Sequence, residues 1–296
     1  MENRPNDRRS VLMFISSMLI FGTIGILRRS IPLPSAFLAC ARGVIGGLFL
    51  LAFTRLARKG GGERLPARIL LRLAATGAVM GVNWILLFEA YEHTTVAVAT
   101  LCYYMQPTIV MLLSPVFFRE RLTGRKAACA AAAVVGMVLV SGVADGRAPQ
   151  AGHLQGVLLG LGAAVCYSAV VISNKGVSGV DAYQKTTVQL FSAGLVMIPY
   201  LLLSGGAGGE SLNLSAAALL LVVCLVHTGL AYVLYFGSMD GMKAQSIAIL
   251  SYIDPVSALL FSALLLREPL SAAGLAGAVM IIGSAIVSEV HREPAA

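Results

Sequence analysis

The feature that most constrains this chain is a succession of apolar stretches, each about twenty residues long, separated by short clusters that hold nearly all of its charge. A helix needs roughly 20 residues to cross a hydrocarbon core about 30 Å thick, and in lipid every backbone N–H and C=O must find a partner within the protein. Ten stretches of this kind are present, at 10–27, 35–54, 69–90, 94–118, 124–143, 154–174, 183–203, 214–238, 244–266 and 271–290. Runs of about ten residues alternating polar and apolar, the mark of a membrane barrel, are absent. The expected fold is therefore an all-α membrane protein with ten transmembrane helices. Composition agrees, with 57% of residues apolar and 12% charged, where a soluble domain carries roughly 25% charged. That balance excludes a disordered segment, a nucleic-acid-binding module and an ordinary soluble enzyme. The basic run Arg4–Arg9 is read as a membrane-flank anchor, so the bilayer, and no nucleic acid, is the expected partner.

The basic residues orient the helices. With the N-terminus on the cytoplasmic side, seventeen Lys and Arg residues fall on inner segments and four on outer ones (Arg28, Arg29, Arg147, Arg267), while Arg42 lies within a stretch. Cationic loops are retained in the cytoplasm, so both termini are expected there. The first stretch ends in Arg28 and Arg29 rather than a small-residue cleavage site, and it is read as a retained span. The five cysteines all sit inside apolar stretches with no CxxC spacing. They are read as small apolar filler, and no metal and no other cofactor is expected.

The chain also repeats itself. An offset of 148 residues brings Tyr104 onto Tyr252, Pro107 onto Pro255, Ser114 onto Ser262, Arg119-Glu120 onto Arg267-Glu268 and Gly81 onto Gly229. Each half holds five stretches, and an odd number inverts the second half across the membrane. The domains expected are a cytoplasmic tail 1–9, a first repeat 10–146, a second repeat 153–290 and a cytoplasmic tail 291–296. Inverted repeats usually hold a binding site at their interface near the bilayer midplane.

At these residues the sequence resembles the drug/metabolite transporter superfamily, in its ten-span EamA-type branch. The matching features are the two five-helix halves, the prolines in spans four and nine (Pro107, Pro255) and the span ends Arg119-Glu120-Arg121-Leu122 and Arg267-Glu268-Pro269-Leu270. The resemblance covers roughly residues 12–290. It implies an inner-membrane carrier whose central cavity is lined by spans 1, 3, 4, 6, 8 and 9. It further implies export of a small metabolite on an ion or substrate gradient; whether the chain acts as a monomer or a homodimer is left open by the sequence.

Asp254, in Ser251-Tyr252-Ile253-Asp254-Pro255, is the leading candidate for the site. An intramembrane carboxylate costs about 2.5–3.5 kcal/mol on insertion scales and should face a cavity or a partner. It suits a substrate amine or a coupling proton; the alternative is a structural tie, for example to Arg42. Pro255 and its mate Pro107 are expected to kink their helices. The mate of Asp254 is the neutral Gln106, which makes the two half-sites chemically unequal. Tyr103, Tyr104 and Tyr252 flank the prolines, and Tyr167, Asn83, Trp84 and His227 lie at mid-span. Tyrosine offers a flat apolar face with a polar tip, against a plain packing role. His227 is either a proton relay or a histidine satisfied by one carbonyl. Arg42 is either a fork for a substrate carboxylate or a structural charge partner between helices, and the outward position of span two in the resembling family favours the second. Glu268 and Glu120 suit either an alternating gate or a local surface ion pair, the blander of the two being preferred.

The reading is an alternating-access carrier for a small polar or amphipathic metabolite, an amino acid or related compound. Other substrates of the same fold and an intramembrane lipid-modifying enzyme are the alternatives. No His-Glu-x-x-His, Gly-x-Ser-x-Gly or GxxxxGK[ST] run is present.

Overall fold

The computed structural model describes residues 7–57, 65–118, 123–140, 152–177, 179–203, 213–239, 242, 246–247, 250–268 and 271–290. The expected tail 291–296, most of the tail 1–9, and the Arg119–Leu122 and Pro269-Leu270 parts of the repeated motif lie outside the described residues. Those that are described form helices and short connections, with no strand among them.

Helix α1 (Arg8–Gly22) is capped by Asp7, which accepts from the Ser10 N–H, and continues past Thr23 as α2 (Ile24–Arg29). Then follow α3 (Ser35–Ala57), α4 (Ala67–His93), α5 (Val96–Tyr103) and α6 (Gln106–Phe118). Helices α7 (Gly124–Val140), α8 (His153–Lys175) and α9 (Ala182–Leu203) come next. Helix α10 (Leu214–Cys224), capped by Asn213, runs through a π-helical turn at Leu225–Leu230 into α11 (Ala231–Met239). Helix α12 (Ile253–Phe261) ends in a second π-helical turn, Ser262–Leu266, and α13 (Ala272–Val290) closes the described chain.

Seven segments among the described residues are long and apolar enough to cross a membrane: Arg8–Arg29, Ser35–Ala57, Ala67–His93, Val96–Phe117, His153–Lys175, Ala182–Leu203 and Leu214–Met239. The stretches expected at 124–143, 244–266 and 271–290 appear as shorter helices instead, α7, α12 with its π turn, and α13. Large apolar side chains such as Leu12, Leu48, Leu158 and Leu202 lie exposed on the outside, which suits a bundle whose solvent is lipid.

Packing relates the two halves. Helix α3 packs on α9, and α7 on α13. Helix α4 packs on α8 as α1 does on α11, and α4 on α9 as α3 does on α10 and its π turn. Helix α1 meets α12 as α5 and α6 meet α8. Each pairing becomes the next, or itself, when 148 is added or subtracted. Even single contacts follow: Gly81 faces Met197, and Gly229 faces Phe49, its equivalent. Small residues set the closest approaches, as membrane helices require. A Cβ on Gly43 would strike the backbone of Gly194, and one on Gly136 the backbone of Gly277.

Candidate functional site

The site is organised by two helix breaks. Helix α5 ends at Tyr103, Tyr104 and Met105 form a turn, and α6 restarts at Gln106. Likewise Ser251 and Tyr252 form a turn and α12 restarts at Ile253. The expected kinks are therefore full interruptions. Pro107 and Pro255 stand in the first turn of a new helix, where an absent N–H leaves no intrahelical bond unmade. The outcome is two half-helix N-termini inside the bundle, carrying Gln106 and Asp254 in their first turns.

Between them lies a cavity of about 850 Å³, room for about 28 waters at ~30 Å³ each. Asp254, Tyr104, Tyr252, Tyr103, Tyr167 and Gln106 all line it, as do Pro107, Trp84 and Arg42. The Tyr104 hydroxyl donates to Asp254 Oδ2 at 2.5 Å, a charge-assisted bond of the strong class if the carboxyl is ionised. Tyr103 stands edge-on to Tyr104 and tilted against Tyr167, with ring centroids 5.9 and 5.5 Å apart. Gln106 offers its backbone carbonyl to the Ser168 hydroxyl at 3.2 Å.

Two expected residues stand elsewhere. Asn83 is fully buried and donates to the Ala163 carbonyl at 2.6 Å, tying α4 to α8, and it is not part of the cavity wall. His227 is buried in the π turn, 2.8 Å from Thr23 Oγ1, and likewise does not line the cavity. Both sit on the helix–helix faces of their spans, which a mid-span position alone does not distinguish from the inner face.

Arg42 ties two helices, as its preferred reading has it, but does not stand on the outward side expected of span two. Its side chain reaches the cavity wall, and Nε donates to Thr228 Oγ1 at 3.0 Å. The guanidinium carbon lies 4.2 Å from the Trp84 ring centre and 5.4 Å from that of Phe88. Among the described residues no carboxylate lies within ion-pair distance of it, so Asp254 and Arg42 are not tied to each other.

The cavity reaches Lys126 and Lys175 at one end. On the α2 side, where Ile24 lines the cavity, stands a cluster of ionic contacts. Arg29 pairs with Glu268 at 3.2 Å and donates to the Thr94 carbonyl at 2.6 Å. The second oxygen of Glu268 accepts from the Val96 N–H at 2.9 Å and the Ser262 hydroxyl at 2.8 Å. Arg267, in the left-handed region at φ 55°, ends the π turn and folds Glu268 back onto Ser262. Arg28 pairs with Glu92 at 3.3 Å and donates to Ile31 O and Ser35 Oγ. Glu268 is thus no local surface ion pair, because it joins α2, α5 and the end of α12.

Sequence reasoning missed Tyr235, Tyr91 and Phe21 on the wall. Tyr235 was the most legible of these, since it stands one helical turn beyond Tyr232, which also lines the cavity, and shares its face.

The comparisons with known proteins bear on the same architecture. The model of the EamA-like transporter family matches this chain twice, over residues 8–142 and 154–289. An uncharacterized transporter of Bacillus subtilis, YxxF, is 27% identical over 286 residues, 96% of this chain and 90% of its own length. An uncharacterized transporter of Archaeoglobus fulgidus is 25% identical over 93% of this chain and 94% of its own. Protein PecM of Dickeya dadantii is 28% identical over 75% and 74% respectively. A protein of known crystal structure shares the fold, with a TM-score of 0.67 at 22% identity, over 94% of this chain and 96% of that one.

Proposed function

The chain belongs to the EamA-like transporter family, and on that premise we propose that it exports a small polar or amphipathic metabolite, an amino acid or related compound, by alternating access across the cytoplasmic membrane. The observation that carries this reading is the cavity between the two half-helix N-termini, where Asp254, Tyr104 and Tyr252 converge. Discontinuous helices of this kind put polar backbone at the midplane, where carriers bind their cargo. Asp254 contacts the cationic part of the substrate or carries a coupling proton.

The membrane arrangement follows the same reading. Seven long and three shorter helical spans make ten crossings, in two inverted five-helix repeats at 10–146 and 153–290. The 148-residue offset, the two family matches and the exchange-symmetric packing all support it. Both termini are cytoplasmic, in line with the basic residues. The Lys126–Lys175 end of the cavity then faces the cytoplasm. The cluster around Arg29 and Glu268 seals the outer side, so the conformation described is inward-facing.

Reconstituted protein in liposomes tests this directly. Counterflow of a labelled metabolite is expected from the wild type and is expected to fall sharply in Asp254→Asn. A variant that inserts normally and transports at the full rate shows that the site lies elsewhere; no counterflow across a broad metabolite panel refutes transport itself.

A further inference from the structure

We propose that Arg42 is the anion-binding pole of the cavity, so that the transported compound carries a carboxylate for Arg42 as well as a group for Asp254. The inference rests on the transport reading above and names the chemistry of its cargo.

Arg42 is 4% exposed and lies within α3, away from either helix end. A guanidinium there is costly unless something answers its charge. The two arginines of α2 are answered, Arg28 by Glu92 and Arg29 by Glu268. Arg42 has no such partner among the described residues; its hydrogen bond there is the one from Nε to Thr228. Arg42 lines the cavity, with its guanidinium carbon 4.2 Å over the centre of the Trp84 ring. A planar fork held through Nε and set over an aromatic ring, with Nη donors left over, is suited to receive two carboxylate oxygens.

The surroundings are built to hold it so. Thr228 donates to the Val223 carbonyl, five residues back, at 3.2 Å, and thereby turns an oxygen lone pair toward Arg42. That five-residue reach exists because the helix widens into the Leu225–Leu230 π turn. On the facing helix, a Cβ at Gly46 would collide with the Thr228 side chain. Gly46, one turn beyond Arg42, therefore makes room for the residue that anchors it. Asp254 is engaged by Tyr104 on a different helix pair. Away from its Lys126–Lys175 end, the cavity thus presents one cationic and one anionic group, each held by a neutral hydroxyl rather than by the other.

Trp84 is the single tryptophan of the chain and lies against the Arg42 guanidinium, so its fluorescence reports on this pole. The purified full-length protein would be titrated with L-leucine and L-threonine, their amides, and the corresponding acids lacking the amino group. The acids are expected to change Trp84 emission saturably, and each amide to bind at least about tenfold more weakly. Arg42→Gln should erase the preference for acid over amide, and Arg42→Lys should restore part of it. Equal responses to acid and amide, no response to any acid, or an acid preference that survives in Arg42→Gln overturns the proposal. Should Arg42→Gln fail to fold, the acid–amide comparison in the wild type decides alone. Because the readout is binding, the two readings fail separately. Counterflow of purely cationic compounds with Trp84 indifferent to acids sinks the anion pole only, while acid binding without any counterflow sinks transport only.

Discussion

Neutralising Glu268 should open the outer side of the cavity. In Glu268→Gln the shape is kept, but three interactions weaken. The ion pair with Arg29 is partly exposed, with side chains 33% and 16% accessible, so it contributes only about 1 kcal/mol. The bonds from the Val96 N–H and the Ser262 hydroxyl fall from charge-assisted to neutral strength, about 0.5–1 kcal/mol each. The total is about 2–3 kcal/mol. At 1.4 kcal/mol per decade this shifts the closed-to-open ratio by roughly 30- to 150-fold. Ile24 lines the cavity on the α2 side, next to the seal. Ile24→Cys, in a background lacking the five native cysteines, would be labelled on intact cells with a membrane-impermeant maleimide. Labelling is expected to be slow with Glu268 present and faster by about that factor in Glu268→Gln. Arg29→Gln should act similarly, and the double variant should add little, since both remove the same pair. If labelling in a normally inserted Glu268→Gln protein stays at the wild-type rate, the cluster is not what closes the outer side.

Tyr104→Phe removes the donor to Asp254 and is expected to weaken apparent substrate affinity in counterflow by about 10- to 100-fold; an unchanged affinity would detach Tyr104 from the site. Gly43→Ala forces a Cβ against the Gly194 backbone and should cost about 1–3 kcal/mol, lowering the melting temperature in detergent. Gly283→Ala, where an added Cβ meets nothing within 4 Å, is the control, and equal melting of the two variants would refute the packing argument. Cysteines placed at Arg125 and Arg267 should be reachable from opposite sides of the membrane. Labelling of both from one side would end the inverted-repeat reading.

Much of the architecture was legible because lipid imposes a simple rule on sequence: a span must be apolar for its whole length. That rule located the helices, and the 148-residue offset located Tyr104, Tyr252 and the two prolines. What proline would do was less legible. A proline is compatible with a kink or with a fresh helix start, and the choice depends on whether neighbours satisfy the backbone released between Tyr103 and Gln106. Which side of its helix Asn83 or Arg42 occupies was not legible, for another reason. Helix α3 is apolar nearly all round, so periodicity says little about which side faces the cavity, and in α4 a lone mid-span amide fits the cavity wall and a helix–helix face equally well. Asn83 turned to a carbonyl of α8, and Arg42 to a hydroxyl that only a widened turn presents. No local sequence signal marks the π turn at Leu225–Leu230.

The symmetry and its violations divide the labour of the molecule. The packing of the two halves follows one exchange rule, and an exchange of that kind lets one half adopt the conformation of the other at little cost, which is what alternating access needs. The chemical poles do not obey the rule. The equivalent of Asp254 is Gln106, the equivalent of Arg42 is the fully buried Leu190, and the equivalent of the π turn lies within the unbroken helix α4. A cavity with the same charge in both halves would suit a ligand with two like ends and would leave its orientation undefined. On the proposed reading, Arg42 and Asp254, neither of them repeated in the other half, instead select a ligand with unlike ends and fix which way it lies. If the halves exchange roles while Arg42 and Asp254 stay with their own helices, the ligand keeps its contacts as the access changes side. On the proposed function, selectivity resides in the positions where the repeat has diverged, and movement in those where it has not.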